Sequence, residues 1–351
     1  MPSNKFFQSV ERSSLLTSYN FARNADFVYS EELTHEQYKN IRKDEHFIVH
    51  KDHRIVYIDT SIELLENNII FSNTNYVKYL FNSLKDCEFK NIKLITHQTD
   101  IPINKQLFNQ KPNCISEWYS INVDYEDESL IPIPLGLSNY YSPKNLFFEN
   151  YKKTNLDIDR KEEKIYVNFN VNTNRKLRQK LYDVLNKKDY CFIEDHSDNL
   201  EKYLNSLINY KFVICPEGNG IDTHRLWETI YAGSIPVVKK HKTLESATNL
   251  PVIFVNDFND INLKKIFENE FETTKINYEK LKIEYWVNKM KSNKVNNSNA
   301  FSKKEKLLIT KFNIFKYKLN LYINSYLKKL NYFLLRIKKL FNVVTKNNRI
   351  T

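Results

Sequence analysis

Residues 212–241 contain side chains that can bind an anion. These side chains lie between two short apolar segments, FVIC and IPVV, which predict buried strands. The loop PEGNGIDTHR between them holds Gly218 and Gly220, two of the four glycines in the chain. Glycine lets a backbone approach a ligand closely, and the start of a helix attracts negative charge. This order of strand, loop and helix therefore predicts a nucleotide-binding half-domain whose phosphate contacts lie around His224 and Arg225.

Two charged side chains of this segment suit a nucleoside diphosphate. Arg225 can bind phosphate oxygens with both arms of its planar guanidinium, which a lysine cannot reproduce. Glu228 lies three residues later on the same helical face, where its carboxylate can accept hydrogen bonds from a ribose diol. The structural alternative is a tight turn in which Asp222 or Thr223 caps the helix, while Arg225 and Glu228 form a surface ion pair.

Other charged residues follow two further predicted strands. Arg175 and Arg178 open a predicted helix after the apolar segment 165–171, so both can face a pyrophosphate from one helical face. A solvated basic helix surface is the alternative. His97 and Asp100 follow a predicted strand in the first half of the chain, where α/β sheets place functional groups. An ordinary loop histidine and a capping aspartate are the alternative there.

Apolar segments of strand length alternate with helical segments through residues 1–295, which predicts an α/β fold with parallel sheets flanked by helices. The charged connector YKKTNLDIDRKEEK, residues 151–164, has the composition of a solvated linker. It divides the chain into a first unit, residues 1–155, and a second unit, residues 156–295. The segment IPIPLGLSNYYSP, residues 131–143, has three prolines and predicts an ordered loop near a cleft or a domain junction.

The positive charge of the chain is concentrated at its end. The 351 residues contain 53 Lys and Arg against 42 Asp and Glu, which gives a formal net charge of +11. Residues 302–351 contain 13 of these bases and a single acid, Glu305, so the rest of the chain is nearly neutral. The basic isoelectric point therefore says nothing about the substrate of the globular part.

A polar hinge, KSNKVNNSNAFSKKEK, leads into a third predicted unit, residues 296–351, which is a basic amphipathic helical tail. Between residues 309 and 341, apolar and aromatic residues recur every three to four positions and lysines fill the gaps, which is typical of helices in a membrane interface. The heavy apolar face argues against a nucleic-acid-binding arm, and packing on the protein's own body is the other alternative. We expect residues 302–351 to bind an anionic membrane surface, with no nucleic acid as partner.

Several classes of protein are disfavoured by the remaining sequence features. Nowhere do about 18 uncharged apolar residues run together, so no spanning helix is predicted. The first residues lack the apolar core of a secretory signal, and we expect a cytoplasmic protein peripheral to the inner face of the membrane. The four cysteines form no C-x-x-C pair, which argues against a disulfide framework or zinc site. We interpret the D-x-D of Asp157 and Asp159, inside the charged connector, as chance.

The segment FVICPEGNGIDTHRLWETIYAGSIPVV closely resembles the donor-binding segment of exostosin-like glycosyltransferases of the bacterial and giant-virus surface-glycan type. Weaker similarities lie in KLITHQTD, WYSINV, IPIPLGLSN, YVNFNVNTNRKLR and a late YW, so the resemblance touches most of residues 90–290. It implies a GT-B architecture, in which two Rossmann-like domains with parallel sheets face a cleft and the nucleotide sugar binds the second domain. It also implies inverting transfer without a metal or another cofactor.

This resemblance also implies roles for individual residues. Arg225 is expected to stabilise the departing diphosphate with support from Arg175, and Glu228 to hold the ribose. The full set of predicted substrate-binding residues is Arg175, Glu217, Gly218, Asn219, Gly220, Asp222, Thr223, His224 and Glu228. An inverting enzyme also needs a base that deprotonates the acceptor hydroxyl, and Asp100 is the predicted base.

We therefore expect a glycosyltransferase that moves a hexose or pentose from a nucleotide sugar to a surface-glycan acceptor, including one linked to lipid. Fucosyltransferase-like enzymes share a similar C-P-E segment and the GT-B fold. They continue with threonine, glutamate and lysine where this chain has Thr223, His224 and Arg225, so an enzyme that uses a GDP-sugar is the alternative. A non-catalytic GT-B scaffold that binds membrane through its tail is the alternative from another class.

Overall fold

The computed structural model describes residues 10–41, 46–139, 145–151, 161–194, 199–258, 276–291 and 300–304, with isolated residues between 311 and 330. Two large β-sheets with helices packed against them, together with two small two-stranded sheets, make the described part of this chain an α/β protein, as predicted. In the part of the chain that the structure covers, no helix has both the length and the apolar character needed to span a membrane.

Sixteen strands and nine α-helices, numbered in chain order, make up the regular structure of the described residues. The strands are β1 (Phe27–Leu33), β2 (His46–Lys51), β3 (Ile55–Asp59), β4 (Ser61–Leu65), β5 (Ile69–Asn73), β6 (Ile92–His97), β7 (Ile103–Asn104), β8 (Ile115–Ser120), β9 (Val123–Asp124), β10 (Leu130–Pro132), β11 (Glu162–Val167), β12 (Cys191–Ile193), β13 (Tyr210–Ile214), β14 (Ile235–Lys239), β15 (Ile253–Val255) and β16 (Ala300–Lys304). The α-helices are α1 (Ser18–Arg23), α2 (His35–Lys39), α3 (Val77–Ser83), α4 (Lys105–Phe108), α5 (Phe148–Tyr151), α6 (Arg175–Leu185), α7 (Leu200–Asn209), α8 (His224–Tyr231) and α9 (Ile283–Lys291). Short 3₁₀ helices lie at Arg12–Ser14, Thr74–Tyr76, Val171–Asn174, Lys242–Ala247 and Tyr278–Leu281.

The first sheet has seven strands in the order β10-β8-β6-β5-β1-β3-β2. The five strands from β10 to β1 are parallel, and β3 is antiparallel to both of its neighbours. The expectation of parallel sheets therefore holds for five strands, and the β2–β3 hairpin is an antiparallel addition. The short connection between β2 and β3 permits only antiparallel pairing, because parallel strands need a long crossover between them.

The second sheet has five strands, all parallel, in the order β12-β11-β13-β14-β15. Helix α6 connects β11 to β12, and α8 connects β13 to β14. Because parallel strands end at the same edge of a sheet, the loops after β11, β12 and β13 meet there. The glycine loop is the one that follows β13, so this edge carries the predicted phosphate-binding segment.

A hydrophobic cluster shared by both sheets joins the two halves of the molecule. Tyr119 of β8 and Tyr166 of β11 belong to this cluster, as do Trp227 of α8 and Trp286 of α9. All four side chains are almost completely buried. Burial of one large apolar side chain stabilises a fold by about 1.5–3 kcal/mol, so a shared core of this size holds the sheets beside each other.

The predicted solvated connector, residues 151–164, is exposed at residues 162–164, as predicted, but two of its described residues are buried. Tyr151 is fully buried, Lys161 is buried, and β11 already begins at Glu162. Composition was misleading here because a buried polar residue in a connector can find partners that the sequence does not reveal. Residues 152–160, which include the D-x-D motif, lie outside the described part of the chain.

Lys161 is held by groups at the carboxyl ends of two helices. Its Nζ donates hydrogen bonds to the carbonyl of Leu207 in α7 (3.2 Å), the carbonyl of Ala232 after α8 (3.0 Å) and the hydroxyl of Ser234 (2.8 Å). Helix carboxyl ends leave carbonyls without intrahelical partners, and a lysine satisfies them. Burial lowers the pKa of Lys161 to about 7.

The predicted polar hinge also contains regular structure. Residues 300–304 form β16, which pairs antiparallel with β4 near the first sheet. The side chain of Phe301 packs against the core of the first sheet. The hinge prediction, based on Asn, Ser and Lys content, therefore missed a strand at residues 300–304, whose residues are exposed or half-buried at the edge of a sheet. Residues 292–299 and 305–306 of the predicted hinge lie outside the described part of the chain.

We expect Lys161→Met to lower the free energy of unfolding by about 1–3 kcal/mol, because it leaves buried oxygen acceptors without a donor. Urea-induced unfolding followed by circular dichroism measures this change. Lys164→Met is the matched control, because the Lys164 side chain is 47% exposed and pairs with Glu162 of the same strand. Equal losses of stability in the two variants would contradict the role given to Lys161.

Candidate functional site

A cavity of about 540 Å³ lies between the two sheets. Residues that follow β6 and β10 of the first sheet line one side, and residues that follow β11 and β13 of the second sheet line the other, together with α8. Ligands of α/β proteins bind outside the carboxyl ends of the strands. The glycine loop and the proline-containing loop after β10 thus meet at one cavity. Residues 140–144 of the proline-containing segment lie outside the described part.

Other side chains of the protein approach Gly218 and Gly220 so closely that a Cβ at either position would crowd them. A Cβ at Gly220 would lie 2.9 Å from Oδ1 of Asn122 and 3.0 Å from Oδ1 of Asp100. A Cβ at Gly218 would lie 3.1 Å from a terminal nitrogen of Arg178. These distances are shorter than ordinary van der Waals contacts. The glycines therefore make room first for side chains of this chain, where we expected room for phosphate.

The side-chain amide of Asn122 connects the loops of the two sheets. Asn122 is buried with a φ of 54°, a left-handed conformation that asparagine tolerates better than most residues. Its Oδ1 accepts hydrogen bonds from the N–H groups of Ile221 (2.8 Å) and Asp222 (3.0 Å), and its Nδ2 donates to the carbonyl of Thr99 (3.3 Å). Two N–H groups of the predicted phosphate-binding loop are therefore already occupied.

Asp222 ties the glycine loop to the loop after β10. Its Oδ2 accepts a hydrogen bond from the N–H of Leu135 (2.9 Å), and both carboxylate oxygens lie 3.0 Å from Nε1 of Trp227. Burial raises the pKa of Asp222 to about 7. Thr223 occupies the N-cap position of α8, but its side chain makes no capping hydrogen bond. Asp222 thus crosslinks the two sides of the cavity.

Arg178 is buried against the glycine loop and binds only neutral groups. Its Nε donates to the carbonyl of Glu217 (2.8 Å), and its terminal nitrogens donate to the carbonyls of Asn170 (2.8 Å) and Pro216 (2.9 Å). Burial, together with the nearby charge of Arg225, lowers the pKa of Arg178 to about 10. Its positive charge has no negative partner among these contacts.

Arg225 projects into the same cavity from the first turn of α8. Its guanidinium lies 5.1 Å from the ring centroid of Tyr203 and donates to the Tyr203 hydroxyl (3.2 Å). That hydroxyl donates to Oε2 of Glu228 (2.9 Å), whose Oε1 accepts from the N–H of Leu146 (3.0 Å). Tyr203 therefore separates Arg225 from Glu228. Among the described residues, no carboxylate forms a direct ion pair with Arg225.

Asp100 of the first sheet and His224 of the second lie near each other at the cavity. Asp100 is exposed at the cavity edge, but neighbouring protein atoms shield part of its carboxylate from water and raise its pKa above the usual value, while His224 acts in the opposite direction. Nδ1 of His224 lies 2.8 Å from the carbonyl of Gly136. Because a carbonyl oxygen only accepts, Nδ1 carries the proton, and Nε2 bears the lone pair in the neutral ring. Two groups that can accept a proton therefore lie at this end of the cavity.

His97 lies deeper, in the wall of the cavity. It is almost completely buried, and its Nδ1 accepts a hydrogen bond from the N–H of Gln98 (2.8 Å). Burial and the charge of His224 lower the pKa of His97 to about 3. A histidine with so low a pKa is a weak base, so Asp100 and His224 suit proton transfer better than His97 does.

Most of the predicted site residues lie together at the cavity. The ones that line it are Asp100, Gly218, Asn219, Gly220, Asp222, Thr223, His224, Arg225 and Glu228. Arg175 is exposed and does not line the cavity, and neither does Glu217. The two side chains are only about 60° apart around the helix axis, so their spacing does not separate them. Arg178 is held by the carbonyls of Asn170, Pro216 and Glu217, whereas Arg175, the first residue of α6, is exposed. Within the described part, no group of three or more His, Cys, Asp or Glu side chains is arranged to hold a metal ion.

Sequence reasoning did not select Asn122 or Tyr203. Asn122 lies in the quoted segment WYSINV, but its left-handed backbone and its partners 99 and 100 residues away have no signal in the sequence. Tyr203 lies in a helix whose apolar spacing predicts an ordinary core residue. Both residues act through contacts between segments far apart in the chain.

The pKa of Asp222 makes stability depend on pH in a specific direction. The folded pKa of about 7 exceeds the ordinary value of 3.8, so the folded state binds more protons between these values. The free energy of unfolding of the wild type, relative to Asp222→Asn, is therefore expected to fall by a few kcal/mol, on an order-of-magnitude scale, as pH rises from about 4 to about 7. Urea unfolding over this pH range tests the sign, with the exposed variant Asp183→Asn as control. A relative stability that rises with pH would contradict the assignment.

The part of the chain that contains the second sheet matches a known protein family. Residues 147–303 match the family model described as the RXYLT1 C-terminal domain, a xylosyltransferase model of the exostosin-like glycosyltransferase family. The match covers somewhat less than half of the chain and includes the second sheet and β16. The search of curated proteins gave no match. The family match supports a glycosyltransferase.

Proposed function

We propose that this protein is an inverting, metal-independent GT-B glycosyltransferase, which moves a sugar from a nucleotide sugar to a surface-glycan acceptor in the cavity between its sheets. The observation that carries the proposal is the presence within one cavity of two arginines, Arg178 and Arg225, that lack direct carboxylate partners among the described residues. The family match supports the reaction class, and its description as a xylosyltransferase favours a pentose as the transferred sugar.

Two neighbouring arginines are costly in a partly buried site unless other groups compensate their charges. Burial acts to lower the pKa of Arg225, but Tyr203, Cys215 and Glu228 nearby raise it overall, whereas the pKa of Arg178 is lowered. Moving each charge out of water costs several kcal/mol unless an opposite charge compensates, and the two cations repel each other. The lowered pKa of Arg178 reflects both effects. A diphosphate carries enough negative charge and acceptor oxygens to engage both guanidiniums. The cavity is therefore electrostatically suited to a nucleoside diphosphate.

The same arginines can lower the barrier of the reaction. Negative charge builds up on the diphosphate as its bond to the sugar breaks, so Arg178 and Arg225 bind the transition state more strongly than the intact donor. Metal ions do this in other transferases. Arg178 takes the supporting role that the sequence assigned to Arg175, because Arg175 lies outside the cavity. Asn219 and Thr223 line the cavity beside the arginines and contact the donor sugar.

Inversion requires the attacking hydroxyl and the leaving diphosphate to lie on opposite faces of the sugar. The arginines come from the second sheet, whereas Asp100 comes from the first. Asp100 can therefore act as the base that removes the proton from the acceptor hydroxyl, with His224 beside it to orient that hydroxyl. The raised pKa of Asp100 increases its basicity toward that proton.

We expect Arg225→Ala to lower kcat by about 100- to 1,000-fold with the fold intact, because the leaving diphosphate loses a pre-organised positive charge. Transfer and donor hydrolysis with a panel of UDP- and GDP-sugars measure the loss, and circular dichroism checks the fold. Arg178→Ala is expected to impair activity more than Arg175→Ala, which alters an exposed arginine of the same helix. Full activity in folded Arg225→Ala would remove Arg225 from the mechanism.

The proposal includes an anionic membrane surface as the partner of the predicted tail, residues 302–351, except residues 302–304, which pair with β4 in β16. This contact would put the enzyme at the inner face of a membrane beside a lipid-linked acceptor. Apolar residues with helical backbone and 42–65% exposure support it: Phe312, Phe315, Leu319, Ile323, Tyr326, Leu327 and Leu330. Their spacing of three and four residues puts them on one helical face. Each nearby Lys or Arg adds about 1 kcal/mol of attraction to an anionic leaflet.

We expect the full chain to pellet with vesicles that contain phosphatidylserine and far less with neutral phosphatidylcholine vesicles, because both the basic charge and the apolar face contribute. The double variant Phe312→Glu, Phe315→Glu should pellet less while keeping the sugar-transfer activity of the wild type on a soluble acceptor. A chain truncated after Lys304 keeps β16 and should not pellet. If the wild type, the double variant and the truncated chain pellet equally, the membrane proposal is wrong.

A further inference from the structure

A second cavity, of about 410 Å³, adjoins the first one at the carboxyl end of β11. Asn170 lines both cavities, so they share a wall. Phe169, Val171 and Tyr182 supply apolar and aromatic surface to the second cavity, and Glu194 supplies a carboxylate. A nucleoside combines a flat base, which stacks on aromatic rings, with a ribose diol, which donates hydrogen bonds. The lining of the second cavity matches both parts.

Glu194 is firmly oriented but keeps a free acceptor position. Its Oε2 accepts hydrogen bonds from the Tyr166 hydroxyl, Ser206 (3.2 Å) and Asn168 (3.4 Å), while its Oε1 has a single described partner, Lys202 (2.8 Å). Each carboxylate oxygen offers two lone pairs, and Oε1 uses one of them on Lys202, so Oε1 can accept one more hydrogen bond from a ligand. Burial acts to raise the pKa of Glu194, but the hydrogen bonds from Lys202 and Tyr166 lower it overall.

The position of Glu194 in the sheet also favours contact with a ribose. It directly follows β12, and its N–H donates to the carbonyl of Val167 at the end of the parallel neighbour β11 (3.0 Å). Strand β11, helix α6 and β12 form a βαβ unit, and a carboxylate after the second strand of such a unit can reach the ribose of a nucleotide whose phosphates lie near the helix. Arg178 of α6 marks the phosphate end.

Glu228, to which the sequence assigned the ribose, has a different environment. Both of its carboxylate oxygens already accept hydrogen bonds from the protein, one from Tyr203 and one from Leu146. Tyr203 in turn contacts Arg225. Glu228 is also buried and lines the first cavity together with the arginines, whereas Glu194 lines the second cavity. We therefore assign Glu228 to the orientation of Arg225 through Tyr203, and Glu194 to the ribose hydroxyls, because of where the two carboxylates lie.

We propose, on the basis of the proposed function, that the second cavity holds the nucleoside of the donor, with Glu194 on the ribose hydroxyls and the ring of Tyr182 against the base. The donor then runs from Tyr182 past the shared wall to the diphosphate at Arg178 and Arg225. Its sugar reaches the acceptor side at Asp100. This direction follows from the order of the two cavities along the edge of the second sheet.

Calorimetric titration of the full chain tests the proposal. The probes are UDP, GDP and CDP, then the 2′-deoxy form of whichever binds most tightly, and inorganic pyrophosphate. The wild type is expected to bind the ribonucleotide about 10-fold or more tightly than the 2′-deoxy form, because the Glu194 carboxylate loses the 2′-hydroxyl as a hydrogen-bond donor. Glu194→Gln should weaken ribonucleotide binding by a similar factor and bring the ratio of the two affinities close to 1.

Two matched variants separate this assignment from a general structural role. Glu228→Gln should keep the ribonucleotide preference, because its carboxylate does not contact the ribose in this arrangement. Tyr182→Ala should weaken nucleotide binding but leave pyrophosphate binding unchanged, while Tyr190→Ala, a partly buried tyrosine outside the cavity, should change neither. Pyrophosphate binding to Glu194→Gln shows that the arginine site remains folded.

The outcomes distinguish this inference from the proposed function. If the ribonucleotide preference survives in Glu194→Gln but disappears in Glu228→Gln, the ribose lies against Glu228 and the inference is wrong. If the wild type shows no ribonucleotide preference, Glu194 does not contact the 2′-hydroxyl and the inference is also wrong. If the wild type binds neither pyrophosphate nor any nucleoside diphosphate, the proposed function itself fails.

Discussion

The hydrogen bonds of the Asn122 amide are the constraint on which the geometry of the cavity depends. This one side chain accepts hydrogen bonds from two N–H groups of the glycine loop and donates one to the carbonyl of Thr99, which precedes Asp100. Gly220 must lack a side chain because Asn122 and Asp100 both close on it. The distance between the loop of the second sheet and the predicted base of the first sheet is therefore set by direct contact. Asp222 adds a second crosslink through Leu135.

Charge distribution gives this cavity its chemical character. The two sheets contribute unlike groups: Arg178 and Arg225 from the second sheet, and Asp100 from the first. Neutral carbonyls hold Arg178, and a phenol hydroxyl binds Arg225, so neither arginine has a direct carboxylate partner among the described residues. In the proposed function, such an arrangement serves as a pre-organised anion site, because the protein orients the cations before a ligand arrives. Glu194, farther along the same edge, extends the polar surface into a second cavity.

Much of the fold follows from local sequence patterns, while several boundaries do not. Alternating apolar and helical segments predict the α/β class, and the glycine loop between two strands is where the sequence places it. The errors concern Lys161, which was expected in solvent and is buried, and residues 300–304, which were expected in a hinge and form β16. In both cases a distant partner decides the outcome: the carbonyls at two helix ends satisfy Lys161, and β4 pairs with β16. The amino-acid composition of a segment predicts its average exposure to solvent, but it does not predict which partner a single residue finds.

The sequence by itself determined the residue types of the site and their positions after strands, because hydrophobic periodicity and scarce glycine are local properties. Only the tertiary structure decided which candidates meet. It turned Arg178 instead of Arg175 into the cavity, placed Tyr203 between Arg225 and Glu228, and brought Asn122 against Gly220. The physical reason is that hydrogen bonds and burial depend on positions in space, and contacts between residues 20 to 100 positions apart leave no periodic trace in the chain.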